Sequence, residues 1–217
     1  MSTTADIAAG ARSILEAATE AFARAGFDSV SIADIASHAK VCKANVFHHF
    51  KSKEALYEEV IREACKGHAE FTEALLARDD LSSIDKLHEL VRFDFVDAFR
   101  NELRTHLVIR EICNTGCNTG RNLIEPVFLR NFSAVIGLIR QGQERGEFHA
   151  GIDPATTAMM IGGSLMLFFQ NRETLDSFPG LGRGAQPEDY ADKVCRLLLA
   201  GLTVAGPDQP SSPRVSA

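Results

Sequence analysis

Ser31-Ile-Ala-Asp-Ile-Ala-Ser-His-Ala-Lys-Val-Cys-Lys-Ala-Asn-Val-Phe-His-His-Phe-Lys-Ser-Lys53 is the stretch whose reading decides the fold. Ser31 is a good N-cap, and Ile32, Ile35 and Ala36 recur at helical spacing, which predicts a short helix to about His38. Ala39 to Val41 then make a turn, and a second helix starts near Lys43. Val46, Phe47 and Phe50 are the expected inward anchors of that helix, leaving Lys43, Ala44, Asn45, His48 and His49 to meet a groove or a phosphate. The segment reads as a helix-turn-helix that docks on DNA. Its charged residues are Lys40, Lys43, Lys51 and Lys53 against Asp34 alone. The local field is therefore positive, although the whole chain carries a formal net charge of −6, and a modest, salt-sensitive attraction to phosphate follows.

Working outward, Ile14-Leu15-Glu16-Ala17-Ala18 and Ala21-Phe22-Ala23-Arg24-Ala25-Gly26-Phe27 precede this unit as a helix with a glycine stop, and Ser52-Lys53-Glu54-Ala55-Leu56 follows it as a new helix start. Together these residues, about the first quarter of the chain, resemble the tetracycline-repressor-like (TetR) family of bacterial regulators. The resemblance implies a DNA-binding surface made of Ser31, Cys42, Lys43, Ala44, Asn45, Phe47, His48, His49, Lys51 and Lys53. Ser31 and Lys53 would meet phosphates, Lys43, Asn45 and His48 would meet bases, and His49 would meet the backbone.

Four residues depart from the family pattern. Lys40 stands where a glycine is usual, and if φ is positive there a lysine costs on the order of 1 kcal/mol. Cys42 replaces a Ser or Thr, and a thiol is the poorer cap and phosphate donor. Phe47 replaces a tyrosine whose hydroxyl commonly reaches a phosphate. Asn45 replaces a frequent threonine with an amide able to pair bidentately with adenine.

The 217 residues, 45% of them hydrophobic, suffice for a small N-terminal domain and a larger helical one. The longest apolar stretch, Met159 to Phe169, is interrupted by Gly162, Gly163 and Ser164 and is too short to span a bilayer. No segment resembles a secretory leader. Five cysteines without disulfide-framework spacing point to a reducing compartment. With the resemblance, this places the protein in the bacterial cytoplasm, associated with the nucleoid when bound to DNA.

Beyond Lys53, apolar residues at three- and four-residue spacing persist almost to the end, so the expected fold is all-α. An N-terminal three-helix helix-turn-helix DNA-binding domain (1–53) precedes a larger helical ligand-binding and dimerisation domain (54–204), and 205–217 reads as a disordered tail. Helices are predicted from Ser52 to about Leu76, from Ser82 through Phe99, and over Glu102–Cys113 with Leu103, Leu107 and Val108 on its apolar face. Asn114 to Gly116 should break the chain. A long helix around Pro126 then ends at Gly146, Asp153-Pro154 opens the next, and Pro187 opens the last. Small and large apolar residues alternate around Gly162, Gly163, Met166 and Phe169, which suits close helix pairing. In the family that this chain resembles, the last two helices form a dimeric four-helix bundle, so a homodimer is expected. Two recognition helices about 34 to 36 Å apart would read a palindromic double-stranded operator.

A small apolar or amphipathic effector is expected among the central helices. Phe95, Phe99, Phe128, Phe132, Met166 and Phe169 are the candidate apolar lining, beside Phe93, Phe168, Met159 and Met160. His106, Arg110, Asn118 and Arg121, with Asn171, are the candidate polar groups. Ordinary helical core is the competing reading for each aromatic residue. Cys113 and Cys117 suggest a second function on the same scaffold, a thiol switch for oxidants or electrophiles, or a soft-metal sensor. Cys65 and Cys195 read as buried, and Cys42 as exposed. The structural zinc spacing, phosphate loop, nucleotide fingerprint and nucleophile elbow are all missing, so no cofactor, resident metal or catalytic residue is expected. An effector-free architectural DNA protein is a further alternative.

Overall fold

Capping chemistry within single turns sets where the helices begin. In the computed structural model, which describes residues 4–113, 118–175, 177 and 186–203, nine helices are described. They are α1 (Thr4–Ala25), α2 (Ile32–His38), α3 (Lys43–His49), α4 (Lys53–Leu76), α5 (Ser83–Arg100), α6 (Glu102–Cys113), α7 (Asn118–Glu144), α8 (Pro154–Leu175) and α9 (Pro187–Leu202). The fold is all-α, with one isolated bridge between Phe148 and Thr203 among the described residues. The expected tail and the Asn114–Gly116 break lie outside them.

Ser31 caps α2 through a reciprocal box. Its Oγ accepts from Asp34 N at 3.2 Å, while Asp34 Oδ2 accepts from Ser31 N at 2.9 Å. Ser31 side-chain and backbone donors hold the Asp34 carboxyl below its ordinary range. Ser52, Ser82 and Asp153 cap α4, α5 and α8 by accepting from the amides of Ala55, Asp85 and Thr156. Cys42 caps α3 without a side-chain hydrogen bond, as a thiol in that position should. Gly26 (φ 81°) and Gly146 (φ 73°) stop α1 and α7 in the left-handed region. Lys40 takes φ 56° in the turn between α2 and α3, the conformation suspected from the sequence.

Two main cores carry the fold. The first gathers Ile14, Ala18 and Phe22 of α1, Ile35 and Ala36 of α2 and Val46 of α3. It continues into Leu56, Tyr57, Val60, Ile61 and Cys65 of α4 and takes in Leu107 of α6. The three-helix unit is thus completed by the first turns of α4 and roofed by α6. The second joins Leu87, Val91 and Phe95 of α5, Leu138 and Ile139 of α7, Ile161 and Phe168 of α8, and Ala191, Cys195 and Leu202 of α9. A small third cluster, Ala98, Ile109 and Phe169, lies between α5, α6 and α8.

The corner between α4 and α5 is held by two charged side chains, Lys86 and Glu147. Lys86, 1% exposed, donates from Nζ to the carbonyl of Leu76 at 2.9 Å, satisfying a free acceptor at the end of α4. Glu147 Oε2 accepts from the Ser83 and Ile84 amides at the start of α5, where a negative charge is favoured.

Several side chains point elsewhere than the sequence predicts. Phe47 is 51% exposed instead of inward, because Val46 and Phe50 already fill the seam between α3 and the first core. Leu103 is 41% exposed, since Leu107 and Val108 supply the buried face of α6. Met159 and Met160 face solvent at 58% and 60% and line no central cavity. Pro126 lies inside α7, as one reading of the sequence allows, and α8 kinks at Asn171, whose φ and ψ are −117° and 17°.

Candidate DNA interface and effector groove

α3 is pinned by Val46, fully buried, so its opposite side is free. Lys43, Ala44, Phe47 and His48 are exposed and Asn45 is half-buried. Ser31, Cys42 and Lys51 are also exposed and flank this face. The Ser31 hydroxyl donates to Asp34 Oδ2 at 2.6 Å. Lys53 is half-buried, with Nζ 4.3 Å from the centroid of the Phe27 ring, a cation–π contact that positions the ammonium at the start of α4. His49 is half-buried against α1, where a Cβ on Gly10 would stand 3.3 Å from its Nε2.

The residues expected at the effector separate into three groups. Phe95 is fully buried and packs on Phe168 and Tyr190 within the second core. Phe128 and Phe132 stack on each other with centroids 5.7 Å apart. Phe99 packs edge-on against Phe168 and Phe169, under the Arg172 guanidinium at 4.9 Å. His106 packs on Phe169 with centroids 4.8 Å apart, and the exposed Cys113 places its Sγ 3.8 Å from Met166 Sδ. Asn171 donates from its amide to the Leu167 carbonyl. Cys117 lies outside the described residues, as do the side chains of Asn118 and Arg121, whose backbones belong to the first turn of α7.

An open groove of about 400 Å³ is lined by His106, Ile109, Arg110, Cys113 and Gln170. Four of these residues recur at i, i+3, i+4 and i+7 along one face of α6, the spacing by which Ile109 could have been recognised beside His106, Arg110 and Cys113. Gln170 comes from α8 and carries no such signal. Arg110 also reaches the other way. Its Nη1 and Nη2 donate to the carbonyls of Phe22 and Arg24 at 3.1 Å each, at the C-terminal end of α1. A neighbouring cleft of about 190 Å³, lined by Ala25 to Ser29 with Arg110 and Glu111, separates α6 from the end of α1.

Cys65 and Cys195 are poor reagents. Burial raises Cys65 to about 11 and Cys195 to about 11, far from the thiolate that reactivity requires. Among the described residues no group of three or more His, Cys, Asp or Glu converges as metal ligands, and no helix is long and apolar enough to cross a membrane.

Residues 14–60 match the family model described as bacterial regulatory proteins, tetR family. This segment carries the DNA-binding signature of the tetR family. The chain is 25% identical to the HTH-type transcriptional regulator YdgC of Bacillus subtilis over 196 residues. That match covers 90% of this chain and 93% of YdgC. It is 27% identical to the HTH-type transcriptional repressor NicS of Pseudomonas putida over 201 residues, covering 87% and 90% respectively. Its fold is similar to that of the transcriptional regulator FadR from Bacillus subtilis in complex with stearoyl-CoA. The TM-score is 0.72 at 19% identity, covering 88% of this chain and 98% of FadR. The matched segment of the family model ends at Val60, inside the part of α4 that completes the first core.

Proposed function

We propose that this protein is a homodimeric repressor that binds a palindromic operator through α3 and leaves it when a small amphipathic effector occupies the α6 groove. The observation that carries the reading is the double placement of Arg110, which lines the groove and holds the end of α1. A ligand in the groove touches the residue that positions the DNA-binding unit, so groove occupancy and the placement of α3 are energetically linked. The relatives named as a repressor and as a regulator holding stearoyl-CoA agree with a ligand-released repressor. The protein acts in the bacterial cytoplasm, on the nucleoid when bound.

The dimer is supported by a stripe on α8 where Met159, Met160 and Leu167 are exposed and a Cβ on Gly162 or Gly163 would meet nothing within 4 Å. Leu197 on α9 is 77% exposed. Small and large apolar residues presented together to solvent suit an isologous helix seam with a second copy. The DNA surface comprises the outward residues of α3 with Ser31, Lys51 and Lys53.

The test combines sedimentation of the free protein with fluorescence anisotropy on a duplex of its own upstream DNA. A dimer that Gly163→Arg converts to monomer, with loss of tight DNA binding, is the expected result. A monomer that binds DNA equally well rejects the arrangement. A thiol switch is the second reading, favoured by the exposed Cys113 beside Met166. It requires peroxide to abolish binding and reductant to restore it, and Cys113→Ser to abolish that response.

A further inference from the structure

Among the described residues, Arg110 is a cation that meets only uncharged acceptors. Its two guanidinium bonds go to the carbonyls of Phe22 and Arg24, and among the described residues it forms no ion pair. The same side chain borders the groove beside His106, Ile109 and Gln170. Ile109 brings an aliphatic side chain to the groove, and beneath it packs with Phe169 and Ala98, a cluster that Phe99, Leu165 and Met166 surround. A guanidinium offers a fixed fork of N–H donors, and a carboxylate or phosphate accepts two of them far more strongly than neutral carbonyls do.

Resting on the groove as the effector site, we infer that the effector is an amphipath with an acidic head, and that its head takes Arg110 away from α1. The apolar body lies on the Ile109 and Met166 side, and the acid faces the guanidinium. Charge on the ligand then becomes the signal, because an uncharged ligand of the same shape leaves the fork on Phe22 and Arg24. Release loosens α1 without unravelling it. The Phe22 carbonyl keeps its bond from the Gly26 amide at 2.9 Å, so the helix stop survives while the tie to α6 is lost. The close approach at Gly26 belongs to the same device: a Cβ there would stand 3.3 Å from Arg110 Nη1, on a backbone of φ 81°, so glycine lets the guanidinium reach the carbonyls.

Decanoate and 1-decanol, equal in chain length and different in charge, test this on the full-length protein by calorimetry, DNA anisotropy and amide hydrogen exchange. Decanoate should bind about tenfold or more tightly than decanol, weaken DNA binding, and speed exchange around Ala25 to Phe27. Arg110→Gln should erase the preference between the two probes. Arg110→Lys should keep the preference but reduce the effect on DNA, because an ammonium lacks the fork. Gln170→Trp, at an exposed position, should block both probes by filling the groove. Equal binding of the two probes to the wild-type protein, or a preference that survives Arg110→Gln, overturns the acidic-head inference and leaves the groove as the effector site. Binding of both probes undiminished by Gln170→Trp, or binding of neither probe, overturns the groove reading as well.

Discussion

His68 on α4 and Asp94 on α5 lie 2.7 Å apart, Nε2 to Oδ1, both half-buried. The contact ties the helix that leaves the DNA-binding unit to the second core. Burial by itself would lower the imidazole pKa. The hydrogen bond and charge of Asp94, with the charge of Asp97, outweigh burial and raise it above the ordinary 6.5. A raised histidine contributes stability that is fully present below its unfolded value and is lost as pH rises through its folded value.

The stability advantage of the wild-type protein over Asp94→Asn should therefore be largest near pH 6 and shrink toward pH 8. Urea midpoints of both proteins across that range check this. A difference that is constant with pH would show that the pair acts through geometry alone.

On the DNA face, Lys53→Ala should weaken binding to all duplexes about equally and reduce the salt dependence by about one phosphate contact. Asn45→Ala should instead change which sequences are preferred, by about 1–3 kcal/mol at the affected base pair. Anisotropy on a panel of operator variants at two salt concentrations separates the two effects. The reverse pattern rejects the assignment.

Lys40 holds φ 56° in an exposed turn, where a Cβ is strained. Lys40→Gly should be more stable than Lys40→Ala by about 1 kcal/mol, because both lose the charge and only glycine relieves the backbone. Chemical denaturation of the two variants measures the difference. Equal stability would mean that the turn carries no strain.

Two glycines of α7 should respond oppositely to alanine. At Gly137 a Cβ meets nothing within 4 Å, so Gly137→Ala should stabilise by up to about 1 kcal/mol through helix propensity. At Gly142 a Cβ would stand 2.2 Å and 2.4 Å from Cδ2 and Cε2 of Phe148, a ring that is 1% exposed. Gly142→Ala should destabilise by about 1–3 kcal/mol through overpacking, and Phe148→Leu should recover part of that loss in the double variant. Thermal melts of the three proteins decide it, and a stabilised Gly142→Ala would contradict the packing described.

The sequence alone determined the features whose causes lie within one or two turns of chain. Ser31 with Asp34, Ser52, Asp153 with Pro154, and the glycines at 26 and 146 mark helix ends because capping and left-handed φ are local properties. The all-α fold followed from apolar spacing, and the DNA-reading unit from the density of such signals between Ser31 and Lys53. Side-chain destinations were another matter. Phe47 and Phe50 are chemically alike and both sit near the end of α3, yet only Phe50 packs inward, because helices from elsewhere in the chain decide which side of α3 is covered. Phe95 went to the core rather than to a ligand surface for the same reason, since α9 brings Tyr190 against it. Arg110 meets Phe22 across 88 residues, and Gly142 must be glycine because a loop returns Phe148 onto α7. Only the tertiary structure decided these pairs: contact between distant segments depends on how whole helices dock, which no pattern within a single helix encodes.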